Sequence, residues 1–185
     1  MEPGCTLWFT GMSGTGKSTV STLLADRLRE MGFKVEILDG DIVRTHLCRG
    51  LGFSKEDREE NIRRVAFLCE LLSRNGVIAI AAVISPYRAG RDEARARLPN
   101  FVEIHMSCPL EVLIQRDVKG LYKKALAGEI PAFTGISDPY EAPQRPEVTI
   151  DSSSEPPEQS VERILSRLRE LGVIASLQAS LAHSI

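Results

Sequence analysis

A chain of 185 residues with 43% hydrophobic side chains has the size of one compact domain and enough apolar surface for one core. Its formal charge of −2, from 25 acids and 23 Lys plus Arg, excludes a surface built overall for nucleic acid or an acidic membrane, so any anion site must be local. No stretch reaches the roughly 18 apolar residues of a membrane span, no basic-then-apolar leader opens the chain, and Cys5, Cys48, Cys69 and Cys108 form no C-x-x-C pair; the expectation is a cytoplasmic protein with reduced thiols.

An apolar run at residues 6–10 predicts a strand that enters Gly11-Met12-Ser13-Gly14-Thr15-Gly16-Lys17-Ser18. Val20, Leu23, Leu24, Leu28 and Met31 then recur at helical spacing until Gly32. The eight residues fill G-x-x-x-x-G-K-[ST] between strand and helix, the context a phosphate-binding loop requires. A plain glycine turn is the alternative, and the flanking elements argue against it. The chemistry is specific: glycines let backbone N–H groups face phosphates, the helix N-terminus adds positive potential, Lys17 reaches the β and γ phosphates of ATP, and Ser18 ligates Mg²⁺. Gly11, Ser13, Gly14, Thr15, Gly16, Lys17, Ser18 and Thr19 are therefore the expected nucleotide-binding set.

A second strand at residues 35–38 delivers Asp39-Gly40-Asp41 at its carboxyl end, where open α/β sheets place their chemistry. One carboxylate could hold a Mg²⁺-bound water while the other faces an acceptor hydroxyl; a solvated Asp-Gly turn is the competing explanation. Ser54-Lys55-Glu56-Asp57 resembles a capping box, opening a helix whose buried stripe is Ile62, Val65, Ala66, Cys69 and Leu72. Arg44, Arg58, Arg63 and Arg64 suit bidentate binding of phosphate or sulfate, but spacing alone does not choose among them. The apolar run 77–84 reads as a central parallel strand ending at Ser85-Pro86-Tyr87-Arg88. Ser85 has no His or Asp at a spacing that would activate it as a nucleophile, so a hydrogen bond to substrate is the better reading. His46, His105 and His183 form no metal cluster.

Residues 101–106 predict a fourth strand, and Pro109 starts a short helix ending near Arg116. From 117 to 146 Lys, Gly and Pro accumulate around one short helical stretch at 121–127, which reads as a mobile lid. Phe53 and Phe133 stand in loops, where an aromatic can stack on a base or simply close a core. A strand at 148–150 and a helix carrying Val161, Ile164, Leu165, Leu168 and Leu171 complete the pattern. The alternation predicts a P-loop nucleoside triphosphate hydrolase-like three-layer α/β fold: one parallel sheet, helices on both faces and the lid, as a single domain over 1–175 with a tail at 176–185.

Leu38-Asp39-Gly40-Asp41, Leu51-Gly52-Phe53-Ser54, Asp57-Arg58, Asn61-Ile62-Arg63-Arg64, Ile84-Ser85-Pro86-Tyr87-Arg88, Lys119-Gly120-Leu121-Tyr122-Lys123-Lys124 and Phe133-Thr134-Gly135-Ile136 together resemble, in the same order, the adenylylsulfate kinase family. The resemblance implies transfer of the γ-phosphoryl group of ATP to the 3′-hydroxyl of adenylylsulfate, giving 3′-phosphoadenylylsulfate and ADP with Mg²⁺ in sulfate activation. It further implies that Phe53 and Phe133 sandwich the acceptor adenine and that Arg44, Arg58 and Asn61 bind its phosphosulfate. Ile84, Ser85, Lys119, Gly120 and Leu121 would then lie around its nucleoside. Ser18 and Asp39 would serve the metal, and Asp41, or else Asp39, would take the hydroxyl proton. Some descriptions of the family give the serine at the Ser85 position a phosphoserine intermediate; direct in-line transfer is favoured here because no activator accompanies it. A homodimer and functional pairing with ATP sulfurylase are family expectations. Two positions depart from the pattern: Ile42 replaces the usual Asn, and Val83 a frequent Phe. Another small-molecule P-loop kinase, or a nucleotide-binding regulator without turnover, are the rival readings.

Overall fold

The computed structural model describes residues 4–174, so the tail expected at 176–185 lies outside the described residues. Strand β1 (Thr6–Thr10) is buried along its whole length because each face meets a different helix layer. Leu7 and Phe9 point to one side, where Val20, Leu24 and Leu28 of α1 (Lys17–Glu30) join a cluster with Ile164, Leu165 and Leu168 of α7 (Pro157–Glu170). Trp8 points to the other, packing with Ile62, Val65 and Cys69 of α3 (Lys55–Ser73) and Ala94 of α4 (Arg88–Arg97). This alternation is the period-2 geometry of a strand covered on both faces.

The remaining strands are β2 (Val35–Asp39), β3 (Ile78–Ala82), β4 (Phe101–Ser107) and β5 (Val148–Asp151). They join β1 in one five-stranded sheet of order β2-β3-β1-β4-β5 in which every pairing is parallel. All carboxyl ends therefore lie along one edge. The phosphate loop, the Asp39–Asp41 turn and the Ser85 turn leave the sheet side by side there.

Two helices escape the sequence patterns. Asp39 is the N-cap of a seven-residue helix, α2 (Gly40–His46), its side chain accepting from the Asp41 N–H, so the Asp-Gly pair opens a helix rather than a free turn. The second is α4, whose sequence Arg-Ala-Gly-Arg-Asp-Glu-Ala-Arg-Ala-Arg has only Arg91 and Ala94 buried. Of the capping box expected at α3, one half is present, with Ser54 accepting from the Asp57 N–H, while the Asp57 carboxylate accepts from the Gly52 N–H rather than from Ser54.

Beyond β4 come α5 (Leu110–Arg116) and α6 (Leu121–Leu126). Here Cys108, Leu113 and Tyr122 form a third apolar cluster, with Met12, Phe133 and Ile136 packed against it. The chain after α6 is bonded back to the sheet edge. Tyr87 donates its hydroxyl to Asp138 at 2.9 Å, the Glu141 N–H donates to the Pro86 carbonyl at 2.8 Å, and Tyr140 shares a 3.0 Å hydrogen bond with Thr10. Under this strap lies a buried charge network. Arg91, 1% exposed, donates to Glu103 Oε1 at 2.9 Å and to the carbonyls of Ser85 and Glu141, while Arg95 bridges Glu103 to Glu147.

Candidate active site

The phosphate loop has the backbone its glycines predict. Gly14 and Gly16 sit at φ 79° and 83°, in the left-handed region, and a Cβ at Gly11 would come within 2.5 Å of the Met106 carbonyl oxygen. Helix α1 has Gly16 as its N-cap, with no side-chain cap and no acidic residue in its first turn, which leaves its leading N–H groups and dipole for an anion. Lys17 lies folded over its own loop, donating to the carbonyls of Gly11 and Met12 at 2.8 Å each. Burial pulls its pKa down to about 7; Lys119 pushes in the same direction, and Asp39 and Asp41 oppose.

The two aspartates are not equivalent. Asp39 is fully engaged: Oδ2 accepts from the Ser18 hydroxyl at 2.6 Å and Oδ1 from the Asp41 N–H at 3.0 Å. Asp41 has its side chain 79% exposed and, among the described residues, pairs with Lys119, whose Nζ is 2.6 Å from Oδ2. Ser18 and Asp39 thus juxtapose two hard oxygen donors beside the phosphate loop, a set suited to Mg²⁺ that keeps several waters and also binds substrate phosphates. Among the described residues, no group of three or more His, Cys, Asp or Glu could hold a metal alone.

Opposite the phosphate loop, Arg58 is 7% exposed and fixes two loops at once. Its Nε donates to the Phe53 carbonyl at 2.9 Å, its Nη1 to the Thr134 hydroxyl at 2.8 Å, and its Nη2 to the Ala132 carbonyl. The Arg44 guanidinium lies 4.4 Å from the centre of the Phe53 ring; burial first, and then Arg58, lower its pKa. Asn61 is buried with its amide oxygen unpartnered. Ser85 sits at φ 41°, its hydroxyl accepting from the Trp8 indole N–H at 3.1 Å and its carbonyl held by Arg91. Ala132 is likewise at φ 52° with its carbonyl held by Arg58, so two strained non-glycine residues of this wall are each clamped by a buried arginine.

One cleft of about 540 Å³ gathers most of the predicted site. Ser13, Gly14, Gly16, Lys17, Ser18 and Thr19 line it on the loop side with Asp39 and Asp41. Arg44, Phe53, Arg58, Asn61, Ile84, Ser85, Lys119, Leu121 and Phe133 form its other walls. Gly11 and Gly120 do not line it, and Thr15 faces a neighbouring cleft instead. Arg63 and Arg64, left undecided by spacing, pair with Glu60 on the exposed side of α3. Ile42 is 62% exposed and also off the cleft, whereas Val83 is buried in the Trp8 cluster and touches the cleft wall.

Sequence reasoning missed the neighbouring cleft of about 400 Å³, which runs from Gly14–Gly16 to residues 152–157. Arg116 lines it, held by the carbonyls of Ser152 at 3.0 Å and Ser153 at 3.3 Å. The serine run at the carboxyl end of β5 was the available signal. Arg91 and Tyr122 were missed as site residues as well: spacing marks neither, although Tyr122 stands within the Lys119–Lys124 block of the resemblance.

Comparison with known proteins gives a consistent result. A family model described as "Adenylylsulphate kinase" matches residues 3–151. An adenylyl-sulfate kinase of Picosynechococcus sp. is 59% identical over 171 residues, 92% of this chain and 97% of that one. A protein of Sorangium cellulosum named probable bifunctional SAT/APS kinase 2 is 55% identical over 98% of this chain, which spans only 31% of that relative's length. Among solved structures, the Mycobacterium tuberculosis APS kinase in complex with AMPPNP and APS superposes with a TM-score of 0.87 at 38% identity, over 91% of this chain and 99% of that one.

Proposed function

The chain belongs to the adenylylsulfate kinase family, and from that membership we propose that it transfers the γ-phosphoryl group of ATP to the 3′-hydroxyl of adenylylsulfate. The observation that carries the proposal is the single cleft in which a phosphate loop faces a cationic and aromatic wall. The loop suits a triphosphate. The wall suits a second nucleotide that is anionic and carries a base.

On this reading the donor base occupies the cleft beside Arg116, and its phosphates run along the N–H groups of Gly14 to Thr19. Lys17 leaves the carbonyls of Gly11 and Met12 for the phosphate oxygens. The acceptor adenine lies between Phe53 and Phe133, with its phosphosulfate toward Arg44, Arg58 and Asn61. Arg58 acts largely through the loops it ties, because its Nε, Nη1 and Nη2 all have protein partners. Asp41 receives the 3′-hydroxyl proton, since Asp39 is committed to Ser18 and to the α2 cap. Ser18 and Asp39 would hold Mg²⁺, which neutralises charge on the β and γ phosphates when bound. Ser85 positions the acceptor and is not phosphorylated: among the described residues the side chain bonded to its hydroxyl is the Trp8 indole, which is a donor and no base.

Functional pairing with an ATP sulfurylase and a cytoplasmic location belong to the same reading, supported by the longer bifunctional relative and by four free cysteines. Purified protein given Mg-ATP and adenylylsulfate should form 3′-phosphoadenylylsulfate and ADP. Turnover no greater than that of Lys17→Ala would sink the proposal.

A further inference from the structure

Tyr122 joins the two halves of the cleft without lining it. It is 2% exposed, in the apolar cluster beneath α6. Its hydroxyl donates to the Ser13 carbonyl at 2.9 Å, and its ring meets Phe133 edge-on, with centroids 5.1 Å apart and planes at 80°. Its own N–H is fixed by Asp117 Oδ1 at 2.9 Å, while Asp117 Oδ2 takes the Lys123 N–H at 3.0 Å. One side chain therefore touches the phosphate loop at one end and the aromatic wall at the other.

The contact to the loop is directional. The carbonyl of Ser13 and the N–H of Gly14 belong to one trans peptide and point in opposite directions. Holding the carbonyl toward Tyr122 therefore turns the Gly14 N–H away from it, and Gly14 lines both clefts. A phosphate accepting from that N–H polarises the peptide and strengthens the hydrogen bond on its far side. Donor binding then firms the Tyr122 hydroxyl in place, and the ring it carries steadies Phe133.

We propose that Tyr122 is a positioning residue that couples the two substrate sites: its hydroxyl sets the peptide facing the donor phosphates, and its ring sets the aromatic wall facing the acceptor adenine. This rests on the functional reading above, which places adenylylsulfate against Phe133. Coupling of this kind is reciprocal, so each nucleotide raises the affinity of the other by the same factor.

Titration calorimetry on the full chain tests it with Mg-AMPPNP as a non-reacting donor and adenylylsulfate as acceptor. In the wild type each ligand should bind on the order of fivefold tighter when the other is present, the ratio carried by one neutral hydrogen bond. Tyr122→Phe keeps the ring and removes the hydroxyl. It should bind adenylylsulfate alone within twofold of wild type, keep its melting temperature within about 4 °C, and lose the ratio to below twofold. A Tyr122→Phe ratio equal to wild type, equal weakening with and without AMPPNP, or a wild type with uncoupled sites would each overturn the inference while leaving the catalytic reading intact. A wild type that binds no adenylylsulfate overturns both.

Discussion

Replacing Arg91 with Met tests how the acceptor wall is held. The substitution leaves Glu103 Oε1 without its partner, though Oε2 keeps Arg95 at 3.1 Å. It also frees the Glu141 carbonyl and leaves the Ser85 carbonyl only a 3.5 Å contact from Thr10. Breaking a buried pair costs about 3–5 kcal/mol and orphaning a buried acceptor about 1–3 kcal/mol. These terms overlap in one network, and Arg95 still compensates Glu103, so they do not add. Relaxation of Ser85 from φ 41° returns about 1 kcal/mol of stored strain. The net expectation is a loss of about 4 kcal/mol in urea denaturation and roughly 10 °C in melting temperature. Adding Glu103→Leu removes the stranded carboxylate, so the double variant should recover at least about 1 kcal/mol of that loss. Among molecules still folded, KM for adenylylsulfate should rise several-fold while donor affinity stays near wild type, because Arg91 touches the Ser85 turn and not the phosphate loop. A single variant within about 1 kcal/mol of wild type, or a double variant no better than the single, would refute the reasoning.

Two further outcomes follow from the site. The pKa of Lys17 is about 7 when buried against its own loop, and triphosphate should raise it, so Mg-ATP binding at pH 8 should take up close to one proton, measurable by calorimetry in buffers of different ionisation heat; no uptake would refute the depressed value. For the same group, the unfolded chain binds more protons between pH 7 and its ordinary value of 10.5, so this contribution makes the ligand-free protein more stable as pH rises through that window. Ser85→Ala should retain turnover within roughly tenfold of wild type, with KM for adenylylsulfate raised, and acid quenching after Mg-ATP alone should find no phosphoserine in the wild type.

Local patterns in the sequence account for the elements that are apolar in a regular period. The runs that became β1, β3 and β4, the stripe of α3 and its Ser54 cap all announce themselves within a few residues. Helix α4 is silent because its core-facing residues are one arginine and one alanine, which no hydrophobic period detects. Helix α2 is silent because seven residues with only Val43 buried carry no stripe. The phosphate loop is legible since its glycines and Lys17 act within eight residues. Arg58 and Tyr122 are not legible from spacing, since their partners lie 76 and 109 positions away, and only folding brings Thr134 and Ser13 to them. The resemblance to a family selected Arg44 and Arg58 from among four arginines; both line the cleft, whereas Arg63 and Arg64 pair with Glu60 on the exposed side of α3.

The clamps on Ser85 and Ala132 grip main-chain carbonyls, and so the contour of the acceptor wall does not depend on which side chains decorate it. Redesign can exploit that separation. On the proposed reading of the cleft, Phe53, Phe133 and Asn61 could be exchanged to admit a different nucleotide while Arg58 and Arg91 preserve the scaffold that presents them.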